Sequence, residues 1–293
     1  MSSSVNPPQP PRAQDRYGSA VRLEQVLLLP LDTLPGHAPD SPLMLDYAGR
    51  VEWFYPPSAD RSWLGRGPGA TFVEMVELAA RAVDPAEPVD LAVTVTSTSD
   101  SGAVGYPGGL LHRLLPGRPL MLGITEQGTA GPFTALRIAA DRIAAGEARR
   151  AVVLVMEQCR LPAEDGITLP ARDRAVLLVL GPAGSHALRT PLISRTRPAG
   201  APTGRVVAPA GGDEAGEAAG EGITGVWAAL AEQWPDLCGV PFTVVGRDPA
   251  LSYWCRLALD PVPVALDPIA LDPDAFESVT SELDLWAEGR VGA

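Results

Sequence analysis

Apolar and polar positions along the chain follow two periods in turn. VRLEQVLLLP (21–30) is a short apolar run closed by Pro30, the pattern of a buried strand. Residues 31–68 are interrupted by Pro35, Pro39, Pro42, Pro56, Pro57 and Pro68, which predicts a connection carrying short elements at most. From Thr71 the helical period takes over, with Phe72, Val73, Val76, Ala79, Ala80 and Val83 recurring until Pro85 and Pro88 stop it. LAVTVTST (91–98) is β-branched and apolar, a strand that empties into the turn-forming stretch SDSGAVGYPGG. A short helix over Leu110–Leu115 and a further buried strand, PLMLGIT (119–125), follow.

The clearest helix lies in GTAGPFTALRIAADRIAAGEARRAVVLVME. Pro132 sits near its start, where a missing N–H costs nothing, Phe133, Leu136, Ala140 and Ile143 share a face, and Gly146 ends it. AVVLVME (151–157) and AVLLVLG (175–181) are uniformly apolar, as strands covered on both faces must be. Strand, helix and strand in short succession predict an α/β fold with a largely parallel sheet. Beyond this the pattern weakens. Residues 197–222 are rich in Gly, Ala, Pro and Glu and read as a flexible connector with one short strand at Arg205–Val207. A helix, ITGVWAALAEQW, and two strands, PFTVVG and SYWCRLAL, complete the folded part. The expected organisation is a disordered leader (1–20), an N-terminal half (21–196), the connector (197–222), a C-terminal remnant (223–260) and an acidic tail (261–293). The tail repeats ALDP and holds a candidate acidic helix near Phe276–Trp286; from Asp260 onward it has eight acidic residues and one Arg, a solvated run before it is a docking site.

Composition narrows the function classes. Net charge is −12 and no Lys/Arg cluster is interleaved with aromatics along the sequence, so the electrostatic attraction that dominates nucleic-acid binding is reversed. Cys159, Cys238 and Cys255 are scattered, without metal-ligand spacing or a disulfide framework, so neither a metal nor a cofactor is expected. No run reaches the roughly 18 to 20 apolar residues of a membrane span, and the amino end is Pro- and Ser-rich, so a cytoplasmic protein is expected.

DLAVTVTSTSD, then LGITEQGTAGPFTALRIAADRIAAGEARRAVVLVMEQ, then DRAVLLVLG, resembles the first half of a β-ketoacyl-ACP synthase III of the thiolase superfamily, from about Val21 to Gly181. That family has a strand ending T-S-T-x-D, a turn (A/S)-C-(A/S)-G opening a buried helix, and a strand carrying an acidic residue. The resemblance places Thr129, within Gly128-Thr129-Ala130-Gly131, where the family has its cysteine nucleophile. It implies a thiolase-like layered αβαβα fold with the first half kept and the second shortened. PFTVVGRDPALSYWCRLAL resembles the family's closing hairpin, with Arg247, Asp248 and Pro249 standing where it has glycines. The family's His and Asn motifs have no counterpart after Gly181.

The cysteine of the active family is activated by a helix N-terminus. A threonine hydroxyl, with a far higher pKa, needs an adjacent base, and His37, His112 and His186 are poorly placed to serve. The resemblance therefore implies a non-catalytic subunit, similar in plan to the small subunit of the alkylquinolone-forming ketosynthase. Such a subunit pairs with a complete Cys-His-Asn ketosynthase III-like chain, as heterodimer or heterotetramer, and meets acyl carrier protein or acyl-CoA through it. The interface or acyl-pocket positions implied are Asp100, Ser101, Tyr106, Pro107, Leu122, Ile124, Glu126 and Gln127. Two other readings stand beside it: a self-standing acyltransferase or hydrolase using Thr129 as nucleophile or Glu126 as base, and a scaffold that holds an acyl chain or carrier protein. The plainer roles are a small filler for Thr129 and an interface ion pair or hydrogen bond for Glu126.

Overall fold

The computed structural model describes residues 17, 20–54, 61–97, 100–102, 106–162, 169–209 and 222–262, all within the unit Met1–Val262. The leader and tail expected at the two ends fall largely outside them, as does the middle of the connector.

Among the described residues ten strands and five α-helices follow one another: β1 (Arg22–Leu28), α1 (Pro42–Phe54), α2 (Phe72–Ala82), β2 (Leu91–Thr96), α3 (Pro107–Leu114), β3 (Leu120–Thr125), α4 (Ala130–Ala144), β4 (Ala151–Glu157), β5 (Arg174–Gly181), β6 (His186–Leu188), β7 (Leu192–Ser194), β8 (Arg205–Val207), α5 (Gly225–Gln233), β9 (Phe242–Asp248) and β10 (Tyr253–Pro261). The strands join in the order β3-β2-β4-β5-β1-β6-β10-β9-β8, with β7 beside β10. β2 runs parallel to β3 and β4, whereas β5 is antiparallel to β4 and to β1. The sheet is therefore mixed rather than largely parallel. The β4–β5 connection contains no crossover helix among its described residues, and a strand returning without one runs antiparallel.

Alternation along the strands explains the layers. Ala92, Val152, Leu154, Met156, Leu177 and Val179 face α2 and α3, packing on Phe72, Met75, Val76, Ala79 and Leu111. Leu91, Val93, Val153, Val155, Leu178 and Leu180 face the other way, onto α4 and α5. The opposite side of that central helix pair is closed by Phe242 and Val244 of β9 and Cys255, Leu257 and Leu259 of β10. Because α4 is covered on two sides, its buried residues run almost continuously from Ala130 to Ala140. Gly131 sits where a Cβ would press on Val95 Cγ1 at 3.0 Å.

Two local expectations change. Residues 42–54 form a thirteen-residue helix inside the proline-rich region. Pro42 occupies its first position, and Met44, Tyr47, Ala48 and Val51 pack against Trp63, Leu64 and Leu161 in a satellite cluster. β3 is an edge strand rather than a buried one: Leu120 is 51% exposed and Leu122 partly exposed. The short strand expected at 205–207 is β8.

Candidate active-site remnant

The loop that opens α4 lies between the ends of β3 and β9. Gly128 has φ +51°, and a Cβ there would run into the Asp248 carboxylate, so the turn requires glycine. Thr129 follows as the residue before the first helical position. Its backbone N–H donates to Asp248 Oδ2 at 2.9 Å, and its hydroxyl donates to the Arg247 carbonyl at 3.4 Å. Asp248 Oδ1 accepts from the Leu251 N–H at 2.8 Å, and the residue is buried. Gly246, facing α4 from β9, leaves room for the Thr129 methyl group and the Phe133 ring.

A helix N-terminus generally offers N–H groups and a partial positive charge, the arrangement that stabilises a thiolate or an oxyanion; at α4 the N–H groups of Ala130 and Gly131 donate to the Gln127 and Gly128 carbonyls, and Pro132 has none. Here the chain's own carboxylate is bonded to that helix end. A second carboxylate does the same in the opposite direction. Glu157, at the end of β4, accepts from the N–H groups of Ile223 (3.1 Å) and Thr224 (3.1 Å) and from Thr224 Oγ1 (3.0 Å) at the start of α5, and from Ser97 Oγ (3.0 Å) just after β2. Thus β9 sends an acid onto the start of α4, and β4 one onto the start of α5. Complete burial pushes the Glu157 carboxyl above the ordinary carboxylate range, and its four donors pull it back in part.

No histidine contact reaches Thr129. His37 lies against Glu74, His112 Nδ1 against the Pro119 carbonyl, and His186 against Ser185, the Leu237 and Val240 carbonyls and the rings of Trp234 and Phe242. Burial holds His186 below the usual imidazole range. The chain's one asparagine is Asn6, outside the described residues. Among the described residues no cluster of His, Cys, Asp or Glu has the arrangement of a metal site.

The other expected positions separate into two groups. Along the β3 edge, Tyr106 is 54% exposed, lies over Gly123 and exchanges a hydrogen bond with Thr94 at 2.8 Å, while Pro107 begins α3. Ile124 is buried and Leu122 partly buried, both against the α4 side of the core. Glu126 is exposed, with φ +57°, and Gln127 Oε1 accepts from Thr134 Oγ1. The single chain therefore does not supply the dry surroundings a general base at Glu126 requires. Asp100 and Ser101 turn inward instead: Asp100 Oδ1 accepts from the N–H of Phe72 at the start of α2, and Ser101 N–H donates to Gln158 Oε1. Residues 103–105 of that loop lie outside the described residues. The departure from glycine at Asp248 was visible in the sequence, but that its side chain turns onto α4 was not.

No protein-family model matches the chain, and no curated protein matches it in sequence. Solved structures do match. ChlB3, described as an acyltransferase, aligns with a TM-score of 0.56 at 16% identity over 83% of this chain and 98% of its own. A variant of OleA from Xanthomonas campestris aligns at 0.53 and 14% identity, over 82% and 97%. The 3-oxoacyl-(acyl carrier protein) synthase III FabH from Xanthomonas oryzae pv. oryzae aligns at 0.53 and 12% identity, over 82% and 98%. At these identities the likeness establishes the fold, which is thiolase-like and of the ketosynthase III type. Among the described residues no helix is long and apolar enough to cross a membrane.

Proposed function

We propose that this chain is a non-catalytic subunit of a ketosynthase III-type acyltransferase complex, pairing with a complete Cys-His-Asn subunit and shaping that subunit's acyl pocket. The observation that carries the reading is the Asp248 carboxylate bonded to the Thr129 N–H. An acyl-transfer intermediate develops an oxyanion, and donors at a helix N-terminus stabilise it only when they are free to do so. With Asp248 in place, a second negative charge about 4 Å away would be repelled by about 4 kcal/mol at an effective dielectric of about 20. That corresponds to roughly a thousandfold in rate.

The β3 edge supports the pairing. Six residues without Lys or Pro offer an open row of backbone donors and acceptors, flanked by the exposed apolar surfaces of Tyr106, Leu114 and Leu120. Such an edge promotes strand pairing with another chain unless it is covered. The substrates would be acyl-ACP or acyl-CoA, bound through the partner in fatty acid or secondary-metabolite biosynthesis. The test is activity of the co-purified complex carrying Thr129→Ala, beside a complex in which the partner's cysteine is replaced. Activity should survive the first change and vanish with the second. A loss above about a hundredfold with Thr129→Ala, equivalent to about 2.7 kcal/mol, would sink the reading.

A further inference from the structure

The outer face of β9 and β10, turned away from α4 and α5, concentrates positive charge on a chain whose net charge is −12. Along β10, Cys255, Leu257 and Leu259 are buried inward, so the alternate residues Trp254, Arg256 and Ala258 face out. Three arginines gather there. Arg197 and Arg247 lie over the Trp254 ring at 5.6 and 4.6 Å from its centroid. Tyr253, with Arg195 over it, alternates to the inward face and packs against the core. Arg256 Nη2 donates to the carbonyls of Pro198 (3.5 Å) and Gly200 (3.1 Å). Burial, and then the neighbouring Arg197, push its pKa down, the sign of like charges held close together. Asp260, a carboxylate on this face, pairs with Arg189 at 2.6 Å.

The shape is extended. Residues 197–202 run between two grooves that share Ala199, Gly200, Ala201 and Arg256. One groove, of about 800 Å³, includes Arg189, Leu192 and Thr243; the other, of about 490 Å³, includes Val245 and Trp254. Arginines bind carboxylates and phosphates alike, and here they stand along two adjoining grooves rather than around one point, an arrangement that suits a run of carboxylates better than a single phosphate. Arginine and aromatic residues around grooved apolar surface are the residue types that dominate protein–protein contacts.

We propose that the face formed by Arg197, Arg247 and Arg256 around Trp254 docks an acidic polypeptide segment of a partner protein. The charge of the remaining surface repels such a partner, so this patch would also orient it. The β3 edge takes no part, and the inference does not rest on the pairing reading.

The experiment is fluorescence anisotropy with the full chain and a short fluorescein-labelled peptide rich in Glu, at low ionic strength. Saturable binding is expected, weakening as salt is added. Arg197 is exposed, so Arg197→Glu alters the face without entering the core. It should raise Kd by about tenfold or more, with Arg197→Gln between it and wild type. Arg113→Glu, at an exposed position of α3, should leave Kd unchanged. The proposal is overturned by absence of saturable binding, by equal binding to Arg197→Glu, or by inorganic pyrophosphate binding tightly and displacing the peptide, which would make the site one for small phosphates.

Discussion

Replacing Asp248 with alanine removes the acceptor of two N–H groups, those of Thr129 at 2.9 Å and Leu251 at 2.8 Å, at a position 8% exposed. A hydrogen bond to a charged group contributes about 1.5 to 3 kcal/mol, and a buried N–H left unpaired costs about 1 to 3 kcal/mol, a cost that Leu251, 41% exposed, can pass to water. The carboxylate's interaction with the α4 dipole adds about 0.3 to 1 kcal/mol. These contributions overlap, and water entering the vacated space recovers part of the loss, so a destabilisation of about 2 to 4 kcal/mol is expected. Asp248→Asn keeps one acceptor oxygen and the shape while losing the charge, and should cost about 1 kcal/mol. Urea unfolding at neutral pH measures both, as a lower midpoint at unchanged m-value. If both variants stay within about 0.5 kcal/mol of wild type, Asp248 does not hold the start of α4, and the argument from a filled anion site fails.

Three further outcomes follow from the same contacts. Because burial raises the folded-state pKa of Glu157 above its unfolded value, the folded chain binds that proton more tightly. Its contribution to stability is greatest at low pH and declines as pH rises through the carboxylate range and above it; the difference between wild type and Glu157→Gln in unfolding free energy should shift in that direction, and one that grows in wild type's favour with rising pH contradicts the assignment. Leu120→Lys, at a half-exposed edge position, should change the stability of the lone chain by less than about 0.5 kcal/mol yet abolish co-elution with the partner subunit; unaltered co-elution would place the interface elsewhere. Gly128→Ala meets both a positive φ and the Asp248 carboxylate, so thermal unfolding should show a loss of more than about 1 kcal/mol, and a neutral result would mean the turn can rearrange.

The elements legible in the sequence were those whose periodicity has one physical cause. β2, β4 and β5 are largely apolar because helices cover both faces, and α2 carries its stripe and its proline stop in plain view, while its Thr71–Glu74 capping box emerges in the structure. The hairpin β9–β10 could be placed for the same reason. α1 was obscured by the prolines around it, although Met44, Tyr47, Ala48 and Val51 have helical spacing; Pro42 begins that helix instead of breaking it. β3 has the apolar composition of a buried strand, and composition cannot tell cover by the chain's own helices from cover by another molecule. Thr129 could be placed from its neighbours in sequence, whereas its capping by Asp248 joins residues 119 apart and is a property of how β9 crosses the end of α4.

The most direct test of the central claim is acyl loading followed by intact-protein mass spectrometry. This chain would be co-expressed with a complete Cys-His-Asn ketosynthase III from the same genome, purified by size exclusion, and the isolated complex incubated with acyl-CoA. A stoichiometric complex is expected, with the acyl mass on the partner and Thr129 unmodified. An acyl adduct on this chain, lost in Thr129→Ala, or a soluble homodimer that ignores the partner, would contradict it.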